Sequence, residues 1–438
     1  MKKVVSSGCV FLLLGAAVPA QSPPSPAPTG DDRPALGWDN LAERLEAEKA
    51  AGLSGVLVMM RDGQTVVDEA FGYANRGQGI RNRRDTIFGI GSTPIDFTHV
   101  GILLLAQEGK LSLDDPIAKF FDNAPADKRS ITVEHLRTGR SGLRDFHGLP
   151  SDGNPDHAWI DRDEALRRIF AQELLFAPGK GRKHSHSAWG VLAAILEVVS
   201  GESYKAFTTK RIFEPLGMKD TGFYGEPIPP ERMAVGYGLR SNGEINAPPY
   251  WGRASWLVLG SGGQTSTAGD MIRFVRGMRA GKLLQPEMRE KLFAEWRGTL
   301  AGGSVFGYEI VYTTDPDNMM ILLSNNNPQG GDSPAVRLAM ELAELAQAGS
   351  RPPFSLGVGL EFDPETGLSI SGVMPGSAAE RDGLQAGDRL VSANGQAFAD
   401  DPMAVLEPLL ATGERIEFRV VRAGKELTLA VKPDRRSP

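Results

Sequence analysis

The chain has 438 residues, of which 41% are hydrophobic and 23% are charged, and it contains 52 glycines, 30 prolines and a single cysteine. This composition is typical of a globular protein with many turns, and the length predicts two folded units with tails. The net charge of −6 argues against nucleic-acid binding, which needs a basic face, and no run of like charge indicates an anionic membrane partner.

The first 20 residues have the pattern of a secretory signal peptide. Lys2 and Lys3 precede an apolar run over 10–18, and the small residues Val18 and Ala20 form a cleavage site. We therefore expect cleavage after Ala20, a periplasmic or secreted protein, and no mature transmembrane segment, because the run is too short to span a bilayer. Cys9 would leave with the signal, so the mature chain would have no disulfide and no thiolate site.

Folded structure is expected to begin near Trp38, after a linker over 21–37 that is rich in proline and serine. An amphipathic pattern predicts a helix over 40–51. The apolar runs 55–60 and 65–67 flank a turn at 61–64, and this arrangement predicts a β-hairpin.

The next segment carries the first motif with chemical potential. Residues 91–96 (GSTPID) precede a predicted helix whose apolar positions Phe97, Val100 and Leu104 recur at helical spacing. A structural explanation is available for this motif, since Thr93 at the N-cap and Pro94 at the first helical position make a good helix start. The pattern alone does not assign chemistry to Ser92.

Several strings of this chain together resemble the serine β-lactamase and penicillin-binding-protein-like family, which includes class C β-lactamase-related proteins and family VIII esterases. The resemblance is carried by 91–96 (GSTPID), 108–116 (EGKLSLDDP), 131–143 (ITVEHLRTGRSGL), 176–190 (FAPGKGRKHSHSAWG), 212–221 (IFEPLGMKDT) and 262–271 (GGQTSTAGDM). It implies an α+β fold with an antiparallel sheet, terminal helices flanking the sheet, and a mostly helical subdomain inserted between about 95 and 290. We expect this domain to span 38–348.

The resemblance places Ser92 at the position of the family's nucleophile. Ile95 stands where the family has a lysine that helps to remove the nucleophile's proton, and His184 and His186 stand where it has Tyr-x-Asn. Isoleucine has no titratable group, and losing one member of a cooperating set can lower turnover by a factor on the order of 10⁴–10⁶.

A third family motif, His-x-Gly or Lys-Thr-Gly, falls on Ala301, Gly302 and Gly303, so alanine replaces the cation. Ile95, Gly302 and Gly303 are expected to line a cleft that binds a small molecule, a cell-wall component or a peptide. No cofactor and no bound metal are predicted.

Three functional hypotheses follow. In the first, the protein is catalytically impaired and acts by binding a ligand or partner in its cleft. In the second, it is an active esterase or peptidase in which His184 serves as the base for Ser92 and His186 steadies the pair, because an imidazole is a workable base at neutral pH. The third is a metal-dependent hydrolase with His184 and His186 as ligands, although no local string supplies a third one. The other histidines are isolated and are interpreted as structural or exposed.

The C-terminal region resembles a bacterial PDZ domain over 355–433, after a linker at 349–354 and before a tail at 434–438. The resemblance is carried by 355–360 (SLGVGL), 373–379 (VMPGSAA) and 383–390 (GLQAGDRL). It implies that Leu356, Gly357, Val358 and Gly359 bind a peptide C-terminus. Glycines in such a loop free backbone N–H groups for the carboxylate, while the adjoining strand edge accepts the peptide by β-addition.

Overall fold

The structure is a computed structural model that describes residues 36–148, 159–238, 245–296, 301–327, 334–347, 354–363, 367–398 and 402–435. The predicted signal peptide, most of the linker over 21–37 and most of the linker over 349–354 lie outside these ranges. Within them, no helix combines the length and the apolar character needed to cross a membrane.

The elements alternate along the chain in a mixed α+β arrangement, as predicted. The helices are α1 (Leu41–Ala50), α2 (Pro94–Gln107), α3 (Val133–Arg137), α4 (Arg162–Phe170), α5 (His186–Ser200), α6 (Tyr204–Thr208), α7 (Glu214–Leu216), α8 (Ala268–Arg279), α9 (Pro286–Trp296), α10 (Pro334–Gln347), α11 (Ala378–Arg381) and α12 (Pro402–Thr412). The strands are β1 (Gly55–Arg61), β2 (Gln64–Phe71), β3 (Tyr73–Asn75), β4 (Ile80–Arg81), β5 (Phe88–Gly89), β6 (Gly222–Phe223), β7 (Tyr237–Gly238), β8 (Gln264–Ser266), β9 (Ala301–Val305), β10 (Tyr308–Tyr312), β11 (Met320–Ser324), β12 (Asn326–Asn327), β13 (Phe354–Ser355), β14 (Val358–Asp363), β15 (Gly367–Val373), β16 (Arg389–Ala393), β17 (Gln396–Ala397), β18 (Ile416–Arg422), β19 (Lys425–Val431) and β20 (Asp434–Arg435).

The larger domain is built on a five-stranded antiparallel sheet with the order β2-β1-β11-β10-β9. The predicted hairpin is confirmed, since β1 and β2 pair across a two-residue turn. Asp62 and Gly63 in that turn have φ angles of 51° and 76°, the left-handed conformations that such hairpins require. The sheet thus joins the start of the domain to its end, because its strand β1 pairs with β11.

Alternation along β1 divides the core into two layers. Leu57 and Met59 face a cluster that includes residues of α1 and α10, while Val56, Val58 and Met60 face the larger cluster formed with the inserted helices. Since successive strand residues point to opposite faces, one short apolar strand buries both sides of the sheet.

The inserted helical region is organised around α2 and α5. Both helices are apolar nearly all round, and most of their residues are buried, as expected for helices inside a core. Gly101 lets them pack closely, because a Cβ added there would lie 2.7 Å from Cδ1 of Leu196. This packing fixes where the N-terminal ends of the two helices lie.

The C-terminal region forms a separate sheet with the order β14-β15-β16-β18-β19, and β17 pairs with β16. It has its own apolar cluster, whose fully buried members include Phe418 and Val420. β14 lies at one edge of this sheet and follows the loop that contains Gly357. The strands predicted at 416–421 and 426–431 are confirmed, each within one residue at its ends.

Candidate active site

Ser92 lies in a tight turn that leads into α2. Gly91 adopts a left-handed conformation with φ of 49°, and the backbone N–H of Thr93 donates to the carbonyl oxygen of Ile90. Ser92 is half-buried, and among the described residues its own backbone N–H has no hydrogen-bond partner. Because this N–H lies at the N-terminal end of α2, it is available to an anionic group.

His186 is the first residue of α5, and its ring reaches Ser92. The distance between Ser92 Oγ and His186 Nε2 is 3.2 Å. The other ring nitrogen, Nδ1, lies 2.7 Å from Asp145 Oδ2. Since a carboxylate only accepts, Nδ1–H donates to Asp145, and in the neutral ring Nε2 is left to accept the hydroxyl proton of Ser92. The three side chains form a serine–histidine–aspartate chain of hydrogen bonds.

Asp145 also holds the start of α5. Its Oδ2 atom accepts a hydrogen bond from the backbone N–H of His186 at 2.9 Å, whereas the N-cap residue Ser185 makes no side-chain cap. A carboxylate at a helix N-terminus is favoured by the unpaired N–H groups there. Burial raises the pKa of Asp145, but the hydrogen bonds from His147 and His186 outweigh it and hold this pKa well below its ordinary range. The group is therefore a stable anion.

His147 binds the second oxygen of the same carboxylate. Its Nδ1 lies 2.9 Å from Asp145 Oδ1, and its backbone N–H donates to that oxygen at 3.0 Å. The ring packs on Phe146, with 4.1 Å between centroids, and meets the ring of His186 edge to face at 4.6 Å. Asp145 is thus clamped between two imidazoles.

The structure does not bring together the predicted pair of Ser92 and His184, because the ring within hydrogen-bond distance of Ser92 is that of His186. His184 is two residues before the first turn of α5, and its ring meets that of His186 edge to face at 4.8 Å. It lines a cavity of about 320 Å³ together with Ser92 and Ile95. The position of His186 as the first residue of α5 brings its ring, and not that of His184, to Ser92.

Ile95 lines this larger cavity and packs against the main core, so the expected apolar wall beside Ser92 is present. The next residue, Asp96, accepts hydrogen bonds from Trp296 Nε1 at 3.0 Å and from the hydroxyl of Tyr312. Burial raises the pKa of Asp96 despite these two donors. Both carboxylate oxygens of Asp96 therefore accept hydrogen bonds at the wall of the cavity. Among the described residues, Asp96 makes no hydrogen bond to Ser92.

Gly302 and Gly303 lie in β9, at the edge of the five-stranded sheet. Val305 at the end of this strand lines a smaller cavity of about 40 Å³, together with Ser92, His147 and His186. The predicted role of the two glycines in substrate binding stays a prediction.

Asp145 and His147 were missed from the sequence. Both follow directly after the string 131–143, within Arg144-Asp145-Phe146-His147. The sequence signal for these two residues is an Asp-x-His pair, which follows a string whose polar residues differ in part from those of the family motif. Its significance depends on the contact with His186, 41 positions later in the chain.

In the C-terminal domain, the residues predicted to bind a peptide terminus lie at the start of the edge strand. Leu356 is buried, and Gly357 has φ of 74°, a conformation that suits glycine. The backbone N–H of Gly357 donates to Ser355 Oγ at 3.2 Å, and Val358 and Gly359 begin β14. A ligand carboxylate at Gly357 would exchange places with this hydroxyl.

Comparison with known proteins agrees with this architecture. A family model described as beta-lactamase matches residues 39–343, and one described as PDZ domain matches residues 369–422. Esterase EstB of Burkholderia gladioli is 30% identical over 326 residues, which are 63% of this chain and 81% of EstB.

Two further relatives extend the comparison. PbpX of Bacillus subtilis (strain 168), whose name assigns it to the penicillin-binding proteins, is 33% identical over 249 residues, or 56% of this chain, and the chain spans only 60% of its length. The crystal structure of D-amino acid amidase from Ochrobactrum anthropi SV3 with D-phenylalanine superposes with a TM-score of 0.60 at 23% identity, covering 72% of this chain and 99% of the amidase. The chain therefore belongs to the β-lactamase family, with its serine-hydrolase fold, and carries a C-terminal PDZ domain.

Proposed function

We propose that the protein is an active serine hydrolase of the esterase or amidase type. Ser92 would be the nucleophile, His186 the general base, and Asp145 the group that orients the imidazole. The observation that carries the proposal is the 3.2 Å contact between Ser92 Oγ and His186 Nε2, with the opposite ring nitrogen held at 2.7 Å by Asp145. This constellation is recognised by geometry and roles, whatever the fold or chain order.

The chemistry follows from these contacts. Ser92 Oγ attacks the carbonyl carbon of the substrate as its proton passes to His186 Nε2, and the same proton is then given to the leaving alcohol or amine. A water molecule, deprotonated in the same way, cleaves the acyl-enzyme and restores the hydroxyl. The free backbone N–H of Ser92 supports the oxyanion of each tetrahedral intermediate.

This assignment replaces the lysine-dependent activation that Ile95 excludes. A histidine held by a carboxylate supplies the base that the family motif lacks in this chain, and it does so from the start of α5 instead of one turn along α2. General-base assistance of this kind is worth about 10²–10⁴-fold in rate.

A second candidate function is ligand binding by a catalytically impaired protein. The observation that favours it is the combined replacement at Ile95, His184 and Ala301. In that case the cavity of about 320 Å³ beside Ser92 would hold a small molecule, a cell-wall component or a peptide without turnover.

A labelled fluorophosphonate together with a short-chain nitrophenyl ester tests the proposal. We expect Ser92→Ala to abolish labelling, and His186→Ala to lower ester turnover by about 10³-fold. His184→Ala is the matched control in the same segment, with an expected loss below about tenfold. Absence of labelling in the wild-type protein would favour the impaired binder, and a larger loss for His184→Ala than for His186→Ala would return the role of base to His184.

For the C-terminal domain we propose recognition of peptide C-termini. The support is the exposed edge of β14 next to the loop at Gly357, which suits the addition of one peptide strand. Export to the periplasm or the medium is also proposed, on the signal pattern of residues 1–20. A mature N-terminus at Gln21, determined by mass spectrometry, is the expected result, and an intact Met1 in the purified cellular protein would contradict it.

A further inference from the structure

The two imidazoles around Asp145 form a constellation that the hydrolase chemistry does not require. One oxygen of Asp145 is bound by His186 and the other by His147. One ligand atom from each of the three residues can be chosen so that all lie within 4.8 Å of one another. Two histidines and one carboxylate are the ligand types that zinc takes in three-residue sites, with water as the fourth ligand.

The geometry points to a regulatory zinc site: we propose that Zn²⁺ binds Asp145, His147 and His186, and that the bound ion switches the serine hydrolase off. Ligand atoms around tetrahedral zinc are about 3.4 Å apart, so a separation of 4.8 Å would have to close by about 1.4 Å. The short contacts between Asp145 and the two imidazole rings already bring three possible metal-ligand atoms close together. The inhibitory effect rests on the proposed function, whereas the binding of zinc does not.

Zinc has access to this cluster from solvent. The side chain of His147 is 45% exposed and that of Asp145 is 29% exposed. His147 and His186 also line the smaller cavity beside Ser92. An ion can therefore reach the carboxylate without opening the core.

The expected mechanism of inhibition is a change of tautomer. In the metal-free site each Nδ1–H donates to Asp145, and Nε2 of His186 accepts the proton of Ser92. When Nδ1 of each neutral ring binds zinc, its single proton moves to Nε2, so charge and protons balance with none released. Nε2–H can then only donate to Ser92, and the hydroxyl loses its base.

His147→Asn is the informative variant. The side-chain amide of asparagine can still donate to Asp145, but the imidazole ligand is lost. His135→Gln is the matched control, because His135 belongs to a capping box with Thr132 and glutamine serves the same role in such boxes. His135 lies outside the cluster, so this control should leave both hydrolysis and zinc binding unchanged.

The test uses the full chain, stripped with a chelator, in two measurements. Calorimetric titration with ZnCl₂ of the wild type and of Ser92→Ala should give one equivalent bound in each, with an affinity at least tenfold weaker in His147→Asn. In parallel, ZnCl₂ should inhibit ester turnover of the wild type, EDTA should restore it, and the inhibitory concentration should rise at least tenfold in His147→Asn.

The outcomes separate the two proposals. Absence of stoichiometric zinc, or zinc binding undiminished in His147→Asn, would overturn the metal site. Binding at this cluster without inhibition would overturn the switch. If the wild type binds zinc as expected but hydrolyses no ester with or without it, the proposed function fails while the metal site stands on the calorimetry.

Discussion

Asp145 combines two tasks in one carboxylate, since it orients the ring of His186 and caps the helix that carries that ring. The two tasks depend on different properties. Orientation and stabilisation of the imidazolium need a negative charge, whereas the cap needs only an acceptor oxygen. A substitution that removes the charge and keeps an oxygen can therefore distinguish them.

Asp145→Asn should lower kcat for ester hydrolysis by about 10²–10⁴-fold, because a neutral amide no longer stabilises the imidazolium that forms during proton transfer. The unfolding free energy should fall by about 1–2 kcal/mol, because the single amide oxygen can accept from the backbone N–H of His186 or from that of His147, but not from both. Steady-state kinetics and urea unfolding of the same preparations check both parts. A loss of activity that merely follows a loss of folded protein would contradict the proposed role.

Glu309 in β10 carries a buried carboxyl group that is not part of the hydrogen-bonded chain of Ser92, His186 and Asp145. Burial raises the pKa of this carboxyl to about 8, although Asn327 Nδ2 donates to it at 2.8 Å. Because the folded-state pKa lies above the unfolded value, the folded protein holds the proton more tightly. Its contribution to stability is complete below the unfolded pKa and is lost as the pH rises through about 8.

Glu309→Gln should therefore gain stability relative to the wild type as the pH rises from 5 to 9, by on the order of 2 kcal/mol. Urea unfolding at the two pH values measures the difference. Glu290→Gln, at an exposed position in α9, is the matched control and should show no such trend. Parallel stability curves for Glu309→Gln and the wild type would show that this carboxyl is not held protonated.

The sequence predicted Ser92 at the site, but it did not predict which imidazole reaches it. The family resemblance predicts His184 as the base for Ser92, because His184 stands at the position of the family's tyrosine. In the structure, the imidazole that contacts Ser92 is His186, at the asparagine position, and its partner Asp145 was indicated by no family motif. Which imidazole reaches Ser92 depends on the residue at which α5 begins. It also depends on the contact between Asp145 and His186, which are 41 positions apart in the chain.

At the level of elements, the site exists because the N-terminal ends of α2 and α5 meet. Ser92 lies two residues before α2 and His186 opens α5, so the distance between the two side chains depends on how closely these helices pack. Gly101 is the residue in α2 that permits close packing. At Gly190 in α5, by contrast, a Cβ would lie no closer than 3.8 Å to any heavy atom of another element.

These two glycines allow a matched comparison of one substitution. Gly190→Ala should stabilise the protein by about 0.5–1 kcal/mol, because alanine favours the helix and the added methyl group would meet its neighbours at an ordinary van der Waals distance of 3.8 Å. Gly101→Ala gains the same propensity but places its methyl group 2.7 Å from Leu196 and 3.2 Å from Phe207, so we expect a net destabilisation of about 1 kcal/mol. Urea unfolding measures both, and equal stability of the two variants would rule out the close packing.

The elements themselves were largely predictable. Apolar periodicity indicated α1, α2 and α5, and the β1–β2 turn carried glycine where the backbone requires it. These signals are local, since they depend on burial and on backbone conformation within a few residues. Convergence of two helix ends is a property of packing, and no single stretch of sequence contains it.

For the molecule as a whole, the two domains have separate apolar cores. The PDZ cluster contains residues such as Leu356 and Phe418, and it shares none with the three clusters of the larger domain. Since each core is complete without the other, damage to the peptide-binding loop should leave the hydrolase site intact.

Gly357→Val in the full chain should abolish binding of a fluorescein-labelled peptide with a free apolar C-terminal residue. The φ of 74° disfavours valine, and its Cβ would lie 2.3 Å from Cβ of Ser377. Ester turnover should change by less than about twofold. Fluorescence anisotropy and kinetics of the same sample check the two statements.

Gly424→Val supplies the control for backbone strain, because Gly424 also has a positive φ, of 78°, but no atom lies within 4 Å of the added group. It should retain peptide binding. The C-terminally amidated peptide should bind the wild type weakly if the loop at Gly357 recognises the carboxylate, as proposed. Equal binding of the free and amidated peptides would contradict recognition of a peptide terminus.

A single oxygen of Asp145 receives both the main-chain N–H and the ring N–H of His186, so side chain and helix start form one closed loop of bonds. The ring's rotational entropy is therefore lost when the polypeptide folds. In the proposed hydrolase, each encounter with substrate would begin with the proton acceptor already aligned, and the energy of binding would be left for distorting the scissile group.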